Sequence, residues 1–308
     1  MDPLADVLEL SRVRGALVAS VRAGAPWGLE LPESTGASFH AVTSGTAWLR
    51  VEGAEPRQLM PGDLLLLPSG ARHRLSSGPS GPCQLFDRAL KEQLVTTDGE
   101  LVLGGPGAAT SFVCAGYDYD LDAAQPLLGL LPAVLHVSAE PVAGRDVAAL
   151  VDLLAAETAG RRAGSPVASA RLLDLLLVAA VRRWLSEQSA DAAPSWLTAL
   201  RDPAIARALS LLHSRPSEPW TLQAVAREVH LSRATLARRF SEAVGESPLA
   251  YLARWRMHLA AQRLKQTTDP IQTIAKGVGY TSVYAFNRAF SRSRGQPPGR
   301  YRRTAQAA

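Results

Sequence analysis

The sequence predicts an α+β protein in three parts: a small N-terminal β-barrel, a pair of amphipathic helices and a C-terminal all-α domain. Three observations carry this. Up to about residue 138, short apolar runs alternate with Gly, Pro and Ser, the texture of a small antiparallel barrel or sandwich. From about residue 139 the apolar period lengthens to that of a helix. The last hundred residues then carry one helix template twice, Ser232 to Phe240 with Gly245 and Pro248, and Ser282 to Phe290 with Gly295 and Pro298. In each copy Arg stands six residues after the Ser (Arg238, Arg288) and Phe eight (Phe240, Phe290), and the copies lie 50 residues apart.

Composition limits what the chain can do. With 308 residues, 47% hydrophobic and 20% charged, it can bury a core and divides into two or three domains. The net charge of +5 hides an asymmetry: residues 201–308 hold 18 Lys and Arg against 6 Asp and Glu, a net of +12, whereas residues 1–200 sum to −7. A basic C-terminal third on an acidic body points to a polyanion partner for that third. Two cysteines, Cys83 and Cys114, make no disulfide framework and fit a reducing cytoplasm. The acidic start, Met1-Asp-Pro-Leu-Ala-Asp6, never becomes an apolar run, so no signal peptide is expected. Nor is there an uninterrupted apolar stretch of about 18 residues, so no membrane partner is expected.

Taken in order, Pro3 to Leu10 reads as a short helix and Gly15 to Arg22 as a strand. Further strands are expected at Phe39–Val42, Thr46–Val51, Gln58–Leu59, Leu64–Leu67 and Arg72–Leu75, within a first domain of residues 1–138. One segment is more specific: Pro61-Gly-Asp-Leu-Leu-Leu-Leu-Pro-Ser-Gly-Ala-Arg-His73 is a turn, an apolar strand, a second turn and a His. It resembles the second conserved motif of the cupin superfamily. The resemblance implies a cupin-like barrel with His73 pointing inward, where cupins often bind metal. Phe39-His40-Ala-Val-Thr-Ser-Gly45 stands where the first motif would be, but supplies His40 alone, with Val42 in place of a second His. Zinc wants four donors, or three and a water. Cys114 is the candidate third ligand and His136 the alternative, and a thiolate with two imidazoles suits zinc. The competing reading is a hydrogen-bonded core histidine and a small apolar cysteine. Cys114 and Cys83 are also candidates for redox sensing, although no base adjoins Cys114, and Asp118 and Asp120 oppose a thiolate.

Residues 139–187 read as a helical dimerisation segment. Val147, Leu150, Val151, Leu153 and Leu154 share a helical spacing, Gly160 to Gly164 breaks it, and Ser165-Pro166 opens a second helix ending near Trp184. That second helix is apolar around too much of its circumference to be exposed, so it sits between two partners. One of these is expected to be the same helix in a homodimer, with packing inside one chain as the alternative. Ser186 to Ser195 is small and polar, and places a linker at residues 188–200.

Residues 201–308 read as two helix-turn-helix units. Thr221 caps a helix, His230-Leu231 makes the turn, and Ser232 caps a basic helix that buries Leu236, Phe240 and Val244. A long helix from Pro248 to Thr267 leads to the second unit, with Gly277-Val-Gly-Tyr280 as its turn. A basic helix after a short turn fits the major groove of a duplex, its N-terminal half at the base edges.

The second unit, Ile274-Ala-Lys-Gly-Val-Gly-Tyr280, Ser282, Phe286-Asn-Arg-Ala-Phe290 and Gly295-Gln-Pro-Pro-Gly-Arg-Tyr-Arg302, resembles the AraC/XylS family of bacterial transcription regulators over about 100 residues. The resemblance implies a sequence-specific regulator that reads two successive major-groove segments of an operator. Behind the cap Ser232, Ala234, Ala237 and Arg238 would face bases; behind Ser282, so would Val283, Tyr284, Ala285, Asn287 and Arg288. Arg233, Arg239, Arg292 and Arg294 look like phosphate contacts. With alanines at two reading positions the first helix is expected chiefly to anchor, and the second to read. RNA polymerase is an implied partner and the nucleoid the implied location. The N-terminal part resembles the cupin-like sensor of a subset whose relatives answer reactive chlorine or electrophiles through cysteines. The control signal is thus a small molecule, a metal or a redox change. The alternative, a metal-dependent cupin enzyme with a DNA-binding appendage, has only two well-placed histidines for a catalytic metal that needs three protein ligands and an open position.

Overall fold

The structure is a computed structural model and describes residues 2–11, 14–96, 100–119, 124, 127–139, 145–160, 162–189 and 193–307. It forms two compact units. One comprises Arg12–Asp120 and Leu128–Glu187; the other comprises Gln188–Ala308 together with Met1–Ser11 and Leu121–Leu127. Asp120 and residues 97–99, 140–144 and 190–192, which fall within the expected sensor, dimerisation and linker segments, lie outside the described residues.

The first unit is built on two sheets. One contains β1 (Arg14–Gly24), β3 (Ala37–Ser44), β6 (Leu64–Leu67), β9 (Leu101–Gly104), β10 (Ala109–Asp118) and β11 (Leu135–Val137), in the order β11-β6-β3-β10-β1-β9. The other contains β2 (Gly28–Leu31), β4 (Ala47–Val51), β5 (Arg57–Leu59), β7 (His73–Ser76) and β8 (Gln84–Leu85), in the order β5-β4-β7-β2-β8. Val21, Val42, Leu65 and Phe112 from the first sheet meet Leu29, Leu49, Leu59 and Leu75 from the second, with Trp27 stacked on Phe112 at 5.2 Å. The run Leu64–Leu67 is buried throughout because its strand is covered on both faces. Leu65 faces the barrel; Leu66 lies in a row with Phe39 and Leu135 on the outer face.

Two helices cover that outer face, α3 (Arg145–Gly160) and α4 (Ser165–Glu187), packed on β1, β3 and β11. They form the expected hairpin, and burial follows the helical period: Val147, Val151 and Leu154 on one, Leu173, Leu176, Leu177, Ala180 and Val181 on the other. The Tyr117 hydroxyl donates to the Leu173 carbonyl at 2.7 Å, tying β10 to α4. Leu153, Val167 and Leu175 remain exposed on this hairpin. A short helix, α2 (Arg88–Leu94), capped by Asp87, lies on the barrel with Leu90 and Leu94 against the core and has no buried residue of its own.

The second unit is helical. Its helices are α5 (Pro203–Ser214), α6 (Leu222–Glu228), α7 (Arg233–Val244), α8 (Pro248–Gln266), α9 (Ile271–Gly277), α10 (Val283–Arg294) and α11 (Pro298–Ala307). Side-chain caps start most of them: Asp202, Thr221, Ser232, Ser247 and Ser282 each accept a backbone N–H of the following turn. Gly245 and Gly295 end α7 and α10 in the left-handed region, at φ 87° and 70°. The expected linker is ordered in its second half: Thr198–Arg201 is a 3-10 turn, Trp196, Leu197 and Ala199 are buried, and the Ser195 N–H bonds the Ala243 carbonyl at 3.0 Å. The small residues before Ser195 read as a linker, but the apolar Trp196-Leu197 pair draws the chain into the core.

The duplication is not uniform in spacing. Leu231 N–H bonds the Ala226 carbonyl, and Tyr280 N–H bonds the Ala275 carbonyl, both at 2.9 Å. Those partners are 49 apart, whereas the capping serines are 50 apart, so the second turn is one residue longer, by Thr281. Each turn contains a positive φ, at His230 (57°) in the first unit and Gly279 (86°) in the second.

An N-terminal helix, α1 (Pro3–Ser11), packs against α5 within this unit. Leu4 and Val7 are buried. Asp6 lies 3.3 Å from Nδ1 of His213, whose ring stacks on Trp255 at 3.9 Å and whose Nε2 is 2.6 Å from the Tyr251 hydroxyl. Burial holds the His213 pKa below its ordinary value, Asp6 offsetting part of the effect. Among the described residues no helix is long and apolar enough to cross a membrane.

Candidate nucleic-acid interface and sensor cavity

The exposed side of the two recognition helices follows from the same period that buries their cores. On α7, Leu236, Phe240 and Val244 point inward, leaving Ser232, Arg233, Ala234 and Arg238 exposed and Ala237 half-buried. On α10, Phe286 and Phe290 are buried, leaving Ser282, Tyr284, Ala285, Arg288 and Arg292 exposed and Val283 half-buried. Tyr284 is 72% exposed, the most accessible large apolar side chain among those described, and the Arg288 guanidinium lies 5.8 Å from its ring.

Several of the expected contact residues are engaged within the protein. Arg239 donates to Asp202 at 2.6 Å, the same carboxylate that caps α5. Burial raises the Asp202 pKa, but Arg239 and the Ala204 and Ile205 N–H groups outweigh it, and the net shift is downward. Arg294 is 2.7 Å from Nδ1 of His258. Asn287 is half-buried, and its side-chain oxygen is enclosed with no hydrogen bond among the described residues, so it faces the protein. Arg238 bridges to Glu242 one turn away at 2.9 Å, with both side chains exposed. Arg256 on α8 donates to the Pro216 and Glu218 carbonyls at 2.6 and 2.7 Å and pins the loop before α6.

The barrel brings together three of the four candidate ligands. His40 on β3 pairs across with Cys114 on β10. His40 Nδ1 is 2.9 Å from Cys114 Sγ, its Nε2 is 2.8 Å from His73 Nε2, and His73 Nδ1 donates to the Ala71 carbonyl at 2.7 Å. That last bond fixes every proton in the row: His73 Nε2 accepts from His40 Nε2–H, so His40 Nδ1 accepts from the thiol. All three groups are neutral in this arrangement. Burial presses both imidazole pKa values down, His40 also through His73, and drives that of the Cys114 thiol far up.

A zinc ion does not fit this donor set as placed. Its ligands must converge on one point at about 2.0–2.3 Å, but Cys114 and His73 sit on opposite nitrogens of His40. Among the described residues no three His, Cys, Asp or Glu side chains form such a group. His136 lies apart: its Nε2 pairs with Asp63 at 3.0 Å and its Nδ1 faces Arg57 at 3.1 Å. Burial raises the Asp63 pKa, but hydrogen bonds from His136, Met60 and Ala139 bring it below the usual value. Cys83 is a half-buried free thiol, its sulfur 3.8 Å from the Gly81 carbonyl.

Beside the His40–Cys114 pair the barrel opens into a cavity of about 340 Å³. Its wall is mostly apolar, and Phe86 and Lys91 reach it from the stretch that forms α2. The signal in the sequence for that helix is Asp87 followed by Arg-Ala-Leu-Lys-Glu-Gln-Leu94, a capped amphipathic turn.

A family model described as Cupin matches residues 2–186, and one described as a helix-turn-helix domain matches residues 225–304. A putative AraC-like transcription regulator of Streptomyces lividans is 36% identical, covering 98% of both chains. The RCS-specific transcriptional activator RclR of Escherichia coli is 28% identical over 98% of this chain and 97% of its own. Among solved structures, the DNA-binding domain of AdpA in complex with a target DNA is 26% identical over 34% of this chain and 94% of that one, with a TM-score of 0.33. The relatives are transcription regulators, which sets the enzyme alternative aside. The chain belongs to the AraC-like transcription regulators, with a cupin N-terminal domain and a C-terminal helix-turn-helix domain that binds DNA.

Proposed function

We propose that this regulator binds an operator through α7 and α10 under the control of a small organic effector held in the barrel cavity. The observation that carries the reading is the paired display of exposed residues behind Ser232 and Ser282, above all Tyr284 with Arg288. In this reading α10 distinguishes bases, while α7 anchors through Arg233 and Arg238. The chain works in the cytoplasm, on the nucleoid, and contacts RNA polymerase. A homodimer through α3 and α4 covers exposed Leu153, Val167 and Leu175. Footprinting the promoter beside the gene tests the core of this proposal: protection of two major-groove segments is expected, and protection of one or none overturns it. Sedimentation of wild type and Leu175→Asp tests the dimer, which the variant is expected to break.

The protonated state of Cys114 favours a bound effector over thiol oxidation as the signal. If Cys114 and Cys83 are the sensor instead, hypochlorite will change the footprint of wild type and leave a Cys114→Ser, Cys83→Ser double variant unaffected. Zinc at His40, His73 and Cys114 requires His40 to leave both of its hydrogen bonds. Elemental analysis finding about one zinc per chain, lost in His40→Ala, would establish that arrangement over the neutral row.

A further inference from the structure

We infer that the cavity ligand is an amphiphilic organic anion, a flexible aliphatic or arylalkyl chain ending in one carboxylate, with the chain inside the barrel and the carboxylate at Lys91. This rests on the reading of the cavity as the effector site and names the ligand chemistry.

The walls set the body of the ligand. Val21, Leu29, Leu31, Phe86 and Leu101 supply the lining, and a space of about 340 Å³ holds on the order of ten to fifteen non-hydrogen atoms. The polar groups set its one charged end. His40 and Cys114, with Ser38 on the same face of β3, are the polar residues on the inner wall; both His40 nitrogens and the thiol proton are already used within the Cys114–His40–His73 row, and the Tyr117 hydroxyl is spent on the Leu173 carbonyl. No charge stands there to receive an ion, and an unpaired charge pushed against that end would be strongly disfavoured. Among the lining residues Lys91 alone carries a full charge. It is half-buried on α2, and no carboxylate pairs with it among the described residues, while Arg88 and Glu92 on the same helix pair with each other. Ser34 and Thr35, both exposed, mark the same opening; the Ser34 hydroxyl is spent on the Gly36 carbonyl at 2.8 Å, so Thr35 supplies the hydroxyl there. An uncharged interior with one cation at the mouth selects a ligand whose polarity is arranged in the same way.

Calorimetric titration of the full-length protein with hexanoate, octanoate and decanoate, and with octan-1-ol, each below its micellar concentration, tests this. One site per chain is expected, with affinity rising about three- to fourfold for each added methylene until the cavity is filled. Lys91→Ala should weaken octanoate at least tenfold and leave octan-1-ol unchanged, and Lys91→Arg should keep octanoate binding. Lys91 is on a helix with no buried residue, so these variants test recognition rather than folding. Octan-1-ol binding as tightly as octanoate, with no effect of Lys91→Ala, would overturn the anion and leave an apolar effector site. Ala19→Trp, which fills the cavity from β1, separates the two levels. If carboxylates bind and this change does not abolish it, or if neither carboxylate nor alcohol binds, the cavity is not the effector site.

Discussion

At the scale of single residues the two recognition helices have one frame and different displays. Arg288→Ala is expected to weaken operator binding by about 1–3 kcal/mol and to relax discrimination at one base, as measured by competition among single-base operator variants. Arg292→Ala should weaken all sequences alike and lower the salt slope by about one, in titrations between 50 and 200 mM salt. Arg239 shows why a basic residue on a recognition helix is not yet a phosphate contact: its guanidinium is bound to Asp202. The Asp202 pKa is lowered in the fold, so the stability it adds is present above its unfolded value near 3.9 and is lost as pH falls through the folded value. Asp202→Asn should therefore reduce thermal stability at pH 7 and flatten its decline below about pH 4. The arginines themselves were legible in the sequence. Their allocation was not, because Asp202 is 37 residues from Arg239 and His258 is 36 from Arg294, and only the folded packing brings each pair together.

At the scale of elements, the repeat of Ser, Arg, Phe, Gly and Pro located α7, α10 and their ends, because caps and left-handed stops are local chemistry that a sequence displays directly. The barrel was legible in part. β3 to β7 stand out as short runs between turns, whereas β2, β8 and β9 gain their identity from ladders with strands distant in sequence, β2 with β7 and β8, and β9 with β1. The two turns offer a comparison. His230 holds a φ of 57° without being Gly and its side chain is exposed, so His230→Gly should raise stability by about 0.5–1 kcal/mol in denaturant unfolding. Gly279 has no such latitude. A Cβ there would stand 2.8 Å from the Ser217 carbonyl and from the Arg256 guanidinium, whereas one on Gly295 meets nothing within 4 Å. Gly279→Ala should therefore lower the melting temperature clearly more than Gly295→Ala, which bears only the strain of its φ, about 1 kcal/mol.

At the scale of the whole molecule, the charge division read from composition coincides with the change of architecture, the basic third being the helical unit. Pro3 to Leu10 reads as a short helix from sequence, but a short helix does not name its partner. That the partner is α5, some 200 residues along the chain, follows from Leu4, Val7 and the Asp6–His213 approach. This has a practical side for anyone dissecting the protein. A fragment begun at Gln188 follows the natural-looking break after α4, but it bares the surface beside His213 that α1 covers. Such a fragment should melt at a lower temperature than the same fragment mixed with a saturating synthetic peptide of residues 2–11, and Leu4→Asp in the peptide should remove the gain. Purification handles belong at the other end of the helical unit, after α11, since a bulky fusion at the N-terminus would sit next to a helix that is part of the DNA-binding body.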